Sequence, residues 1–108
     1  MPPSHNYAFS PSGIRKPFAS YSHGVLVPPG ATWLVASGQL GVTPDDTVPD
    51  DVAAQCALCF DNIGAILAAA GMGFGDVVRF AGFVTDRSFF PIYGAVRSRY
   101  VAWINQRE

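Results

Sequence analysis

A chain of 108 residues has room for one domain, and with 49% hydrophobic residues it is too apolar for a disordered tail. Seven Lys+Arg against eight Asp+Glu leave a net charge of −1, which excludes an electrostatic nucleic-acid binder, since that needs a basic surface to displace counterions. Charged residues make up only 14%, against about 25% in an average soluble domain, so part of the outer surface is expected to be covered by further copies of the chain.

Residues 1–17 carry Pro2, Pro3, Pro11 and Pro17 with Ser and Gly and no hydrophobic period, which predicts a flexible N-terminal arm ahead of one domain over 18–108. No basic stretch followed by an apolar run opens the chain, so no secretory leader is expected. Residues 25–27 and 32–37 are β-branched and apolar on either side of Pro28-Pro29-Gly30, which predicts a hairpin.

Asp50 and Asp51 then stand where a helix begins, suited to its unpaired N–H groups and to its dipole. Val52, Cys56, Cys59, Phe60, Ile63, Ile66, Leu67 and Ala70 recur at three and four, one apolar stripe, and Gly71 is the expected stop. Gly71-Met72-Gly73-Phe74-Gly75 has the look of a phosphate loop. It follows a helix and precedes a strand, however, the reverse of the order that puts phosphate on a helix N-terminus.

Residues 77–85 are apolar on both faces except at Arg79, which predicts a central strand covered on both sides. Asp86 or Ser88 is placed to cap a second helix with Pro91 in its first turn. Phe89, Ile92, Tyr93, Val96, Tyr100, Trp103 and Ile104 fall at helical spacing and are expected in the core. The order is ββαβα. A right-handed crossover would set 32–37 parallel to 77–85 in one mixed sheet, with both helices on one face. The other sheet face is left bare, and a second copy of the chain is its expected cover.

Cys56 and Cys59 form a lone CxxC, two ligands where a closed zinc site wants four, and neither His5 nor His23 is spaced to complete it. Free thiols packed as small hydrophobes are expected, in a reduced, cytoplasmic setting. The apolar run 63–75 is shorter than the roughly 20 residues that span a bilayer, so no membrane partner is expected. Arg15, Lys16, Arg79, Arg87, Arg97, Arg99 and Arg107 are scattered, and no His pair stands with a nearby Lys for phosphodiester cleavage. No GxSxG elbow or His–acid pair is present either. His23 lies two residues from Tyr21, on the same face of a strand.

Several segments together carry a resemblance. Tyr21-Ser22-His23-Gly24, Ala36-Ser37-Gly38-Gln39-Leu40, Val52-Ala53-Ala54-Gln55 with Asp61-Asn62-Ile63, and Ala69-Ala70-Gly71 are followed by Gly75-Asp76-Val77-Val78, Phe83-Val84-Thr85-Asp86 and Phe90. Over 21–101 the chain resembles the RidA/YjgF family, the reactive-intermediate deaminases with the older label endoribonuclease L-PSP. The resemblance implies a chorismate-mutase-like α/β subunit in a homotrimer, with sheets turned inward to a central barrel and ligand clefts between subunits. It also implies hydrolysis of small enamine or imine acids of the 2-aminoacrylate type to 2-oxo acids and ammonia, a C–N bond hydrolysis with no metal or organic cofactor.

That reaction asks for a guanidinium to clamp a carboxylate, a proton donor for the enamine carbon, and a partly dry pocket. By the resemblance, Tyr21 lines the cleft with its phenol, Ser37, Gly38 and Gln39 form its floor, and Phe90 walls it. The family's clamping arginine, in a Pro-Ala-Arg-Ser/Thr segment, and a later glutamate do not occur here, and Arg107 comes too early to replace the arginine. The catalytic residues are therefore unassigned, and the domain is expected to be shortened at its C-terminal end. Gly94 and Arg97 stand where the family often has asparagine and tyrosine. That departure keeps open an alternative, a non-catalytic small-carboxylate-binding or regulatory member of the same fold.

Overall fold

Asp51 starts the longest element: its carboxylate accepts from the Ala54 N–H at 3.2 Å, satisfying one of the unpaired amides of a first helical turn. The computed structural model describes residues 5–18 and 21–101. Helix α1 runs Val52–Ala69. It ends at Gly71, whose φ of 73° lets its own N–H reach the Ala68 carbonyl at 3.0 Å and the Met72 N–H reach that of Leu67 at 2.8 Å. The second helix also has an acidic start. The Asp86 carboxylate accepts from the Ser88 N–H at 2.9 Å and the Ser88 hydroxyl at 2.8 Å. A 3-10 turn at Arg87–Phe89 then leads into α2, Phe90–Val101. Both helices thus form where the spacing predicts them; Trp103 and Ile104 lie outside the described residues.

The core lies between these helices. Phe60, 3% exposed, and Leu67 on α1 are buried with Val96 and Val101, the last 2% exposed, on α2. Aromatic rings gather around Phe60: Tyr100 stacks on it at 5.0 Å and Phe80 meets it edge-on at 5.7 Å. Phe74 in turn lies 5.6 Å from Tyr100. Such pairs contribute about 0.5–1.5 kcal/mol each beyond the area they bury. α1 is long and apolar enough by composition to cross a membrane, but here its Asp61 holds the Tyr100 hydroxyl and its Phe60 sits in the core.

The strands depart from the predicted hairpin. Strand β1, Tyr7–Phe9, lies inside the segment expected to be an aperiodic arm. It pairs antiparallel with β2, Gly24–Leu26, in the register Tyr7↔Leu26, Ala8↔Val25, Phe9↔Gly24. The turn after β2 does form, with the Ala31 N–H on the Pro28 carbonyl at 3.4 Å and Gly30 at φ 75°. Residues 32–37, however, do not return to β2. Pro28 and Pro29 lack the N–H groups that the first rungs of such a hairpin would use, whereas Tyr-Ala-Phe offers both donors and an aromatic face. Tyr7 and Phe9 share that face and stack at 6.2 Å.

Residues 32–37 and 77–85 were expected to pair in parallel, and in the structure neither carries a ladder. The sheet among the described residues is the two-stranded β1–β2 ribbon, so the fold is mixed α/β with two helices and a small antiparallel sheet. A parallel pair gains its hydrogen bonds only after a long crossover is closed, and apolar strands gain little until both faces are covered. Here Val35 is 88% exposed and Phe83 94%. The molecule is correspondingly flat, 48 × 33 × 18 Å, with a radius of gyration of 15.3 Å where about 13 Å is usual for this length.

Candidate functional site

A cleft of about 90 Å³ opens where the β1–β2 ribbon meets residues 77–80 and the last turns of α2. Val25, Val77 and Phe80 give it apolar walls, and Val101 closes it from the helix side. Tyr21, Ser22, Arg79 and Arg97 supply its polar groups among the described residues. Arg97 reaches the cleft from α2, its guanidinium carbon 5.9 Å from the centre of the Phe80 ring. Arg79, exposed, comes from the segment leaving the 3-10 turn at Phe74–Asp76.

Tyr21 lines the cleft and is partly exposed. Its phenol oxygen accepts from the Phe18 N–H at 3.2 Å, which fixes the ring and leaves the phenolic O–H to donate. The His23 ring meets it edge-on at 6.3 Å, although both residues lie just ahead of β2 and not on a strand, where they were expected. The ribbon is anchored beneath them: the His23 N–H donates to the Ser10 hydroxyl at 3.1 Å, and the Asn6 amide to the Asp76 carbonyl at 3.4 Å.

The other residues implied by the resemblance lie elsewhere on the chain. Ser37, Gly38 and Gln39 belong to a strap laid across α1. The Gln39 amide donates to the Ser37 carbonyl at 3.3 Å, and the Cys59 thiol to the Gln39 carbonyl at 3.5 Å. The Asn62 amide donates to the Leu40 carbonyl at 3.4 Å. Gly41 then touches α1 so closely that an added Cβ would stand 2.7 Å from the Gln55 carbonyl oxygen. Phe90, the first residue of α2, is 65% exposed, its ring 6.4 Å from that of Tyr93. The strap and Phe90 do not line the cleft that holds Tyr21. Gly94 leaves open space where a side chain would be.

Cys56 and Cys59 are free and partly buried. Burial pushes both thiols up, helped at Cys56 by the charge of Asp51 and at Cys59 by that of Cys56. A raised thiol pKa is the opposite of what an activated nucleophile needs. Among the described residues, no three His, Cys, Asp or Glu side chains come together in a way that could hold a metal ion. The sequence gives no direct sign that Arg79 and Arg97 meet at one cleft, because their spacing of eighteen residues crosses from an irregular segment to a helix.

Comparison with known proteins points the same way as the motifs. A 2-iminobutanoate/2-iminopropanoate deaminase of Escherichia coli strain K12 is 43% identical over 63 residues, 57% of this chain and 49% of that protein. The RutC family protein YjgH of the same strain is 37% identical over 79 residues, 73% of this chain and 60% of its own length. Protein DfrA of Myxococcus xanthus is 37% identical over 87 residues, 79% and 66% of the two chains. The chain thus spans between about half and two thirds of these relatives. The family described as endoribonuclease L-PSP matches residues 13–107, nearly the whole sequence, and the chain belongs to this family, also known as RidA/YjgF.

Proposed function

We propose that the protein is a RidA-like hydrolytic deaminase that turns small enamine or imine acids into 2-oxo acids and ammonia, at clefts completed between subunits. The observation that carries this reading is Tyr21, with a phenolic proton to give, in the lining of a cleft whose charged groups among the described residues are two guanidiniums. With 2-aminoacrylate, the methylene carbon takes a proton to give the imine. Water then adds to the imine carbon, the C–N bond breaks, and pyruvate and ammonia leave. Tyr21 is placed to hold the substrate or the water at this step, and the apolar walls limit stray water.

The exposed segments 32–37 and 77–85 support assembly into a homotrimer around a central sheet barrel. In that assembly the strap at Ser37, Gly38 and Gln39, together with Phe90, would come from a neighbouring copy to complete the Tyr21 cleft. The free thiols support a reduced, cytoplasmic setting.

A second reading has its own support. Among the described residues the cleft lining offers no carboxylate to take or return a proton, and Gly94 presents no polar group, which favours a small-carboxylate binder or regulatory member without turnover. Ammonia release from 2-aminoacrylate generated in place separates the two. The enzyme reading expects acceleration that Tyr21→Phe reduces by about a hundredfold or more, the usual range for a positioned proton donor. Assembled protein that binds a small acid saturably without acceleration establishes the second reading instead.

A further inference from the structure

We propose that Cys56 and Cys59 are a thiol pair that closes to an intrachain disulfide, and that closure releases the strap at Ser37, Gly38 and Gln39 from α1. This goes beyond the deaminase reading and does not depend on it. Three residues apart on α1, the two cysteines stand on adjacent turns of one face. Regular helix geometry sets their Cα atoms about 5 Å apart, inside the roughly 4.4–6.8 Å that a disulfide spans. Their Cβ atoms, about 5–6 Å apart in a regular helix, must close to about 4 Å. Tightening that one turn toward 3-10 geometry, where positions three apart eclipse, supplies the approach. The two thiols already feel each other, since the charge of Cys56 helps to raise Cys59.

Cys59 is also the thiol that holds the strap. Gln55, Cys59 and Asn62 form a stripe along α1, and the strap lies on it at three points: Gly41 against Gln55, the Gln39 carbonyl on the Cys59 thiol, and the Leu40 carbonyl on the Asn62 amide. Of these three ties the middle one alone needs a proton on sulfur, and oxidation removes it. With a low-molecular-weight disulfide as oxidant, the Cys56 thiolate attacks one of its sulfurs, forming a mixed disulfide and expelling a thiolate. The Cys59 thiolate then attacks the Cys56 sulfur and expels the second. The protein loses two electrons and two protons, and the expelled thiolates take up the protons as thiols. The Gln39 carbonyl is left facing a sulfur with no proton to give. Thiols of raised pKa are poor leaving groups, so the bridge, once formed, resists reopening by a passing thiol.

The test treats the full chain with glutathione disulfide, over graded proportions of glutathione, until its mass stops changing, and then follows amide hydrogen exchange. The oxidised chain is expected to be lighter by two hydrogens, with the bridge inside the α1 peptide that carries both cysteines. Residues 37–41 are then expected to exchange about two- to fivefold faster than in the reduced chain, the range for one S–H···O bond. Residues 90–94, at the start of α2, should keep their rate. Cys59→Ser keeps a hydroxyl for the Gln39 carbonyl and cannot form the bridge, so its strap should stay protected with or without oxidant. Cys59→Ala should exchange there at the oxidised rate even when reduced.

The proposal is overturned if no disulfide forms, if only mixed or interchain ones do, if the oxidised strap exchanges as the reduced one does, or if the whole chain speeds up alike. A folded Cys59→Ala whose strap stays protected overturns it too. Should Cys59→Ala fail to fold, the oxidised and reduced wild type and Cys59→Ser decide the matter. None of these readouts uses turnover, so the deaminase reading stands or falls separately.

Discussion

Tyr100 shows how much one hydroxyl can hold in a molecule with so small a core. It donates to the Asp61 carboxylate at 2.8 Å and lies 3.2 Å from the Ala57 carbonyl, tying α2 to α1 beside the Phe60 stack. Burial raises its pKa from the ordinary 10.0, and the acceptor Asp61 adds to the rise. A pKa raised on folding means a contribution fully present below about pH 10 and lost as pH climbs through the higher folded value. Tyr100→Phe is expected to cost about 1 kcal/mol in urea unfolding at neutral pH and to remove that tyrosine's share of the alkaline loss. At Asp86 the sign is opposite. Hydrogen bonds from Ser88 hold its carboxyl below 3.8, so its cap on the Arg87–Phe89 turn is present above that value and lost as pH falls through the folded one. Ser88→Ala should return the Asp86 titration, followed by NMR, toward the ordinary range.

The helices were legible in the sequence because their signals are local. Asp51, the stripe from Val52 to Ala70 and Gly71 each act within a turn or two, and the cap, the buried Phe60 and Leu67 and the left-handed exit follow directly. The Gly71 exit can be tested alone. Gly71→Ala should cost about 1–2 kcal/mol, the penalty for a side chain in left-handed backbone, measured by urea unfolding. Strand pairing was less legible because it depends on a distant choice. Tyr7–Phe9 sits among prolines that hide its three-residue alternation, and nothing local tells β2 to prefer it over 32–37. The candidate site shows the same divide. Tyr21 stands in a local motif, while the approach of Arg97 to the cleft it lines depends on how α2 lies against 77–80.

At the scale of the whole molecule, fourteen large hydrophobic side chains are exposed among the described residues, against four buried ones. Trp33, Val35 and Phe83 mark the segments that a sheet would bury, and they account for the flat shape. If copies of the chain cover one another there, Phe83→Asp should shift sedimentation velocity profiles from assembled toward single-chain species, with little change in the helical circular dichroism of what remains folded.

So small a sealed interior also bears on calorimetry. The heat-capacity increment on melting tracks apolar surface newly wetted, about 12–15 cal/mol/K per residue in ordinary domains. In a solitary copy most of the large side chains are already in contact with solvent, so its increment should fall below that range and its transition should be broad. Whatever shelters Val35 and Phe83 would then set both the sharpness of melting and its dependence on protein concentration.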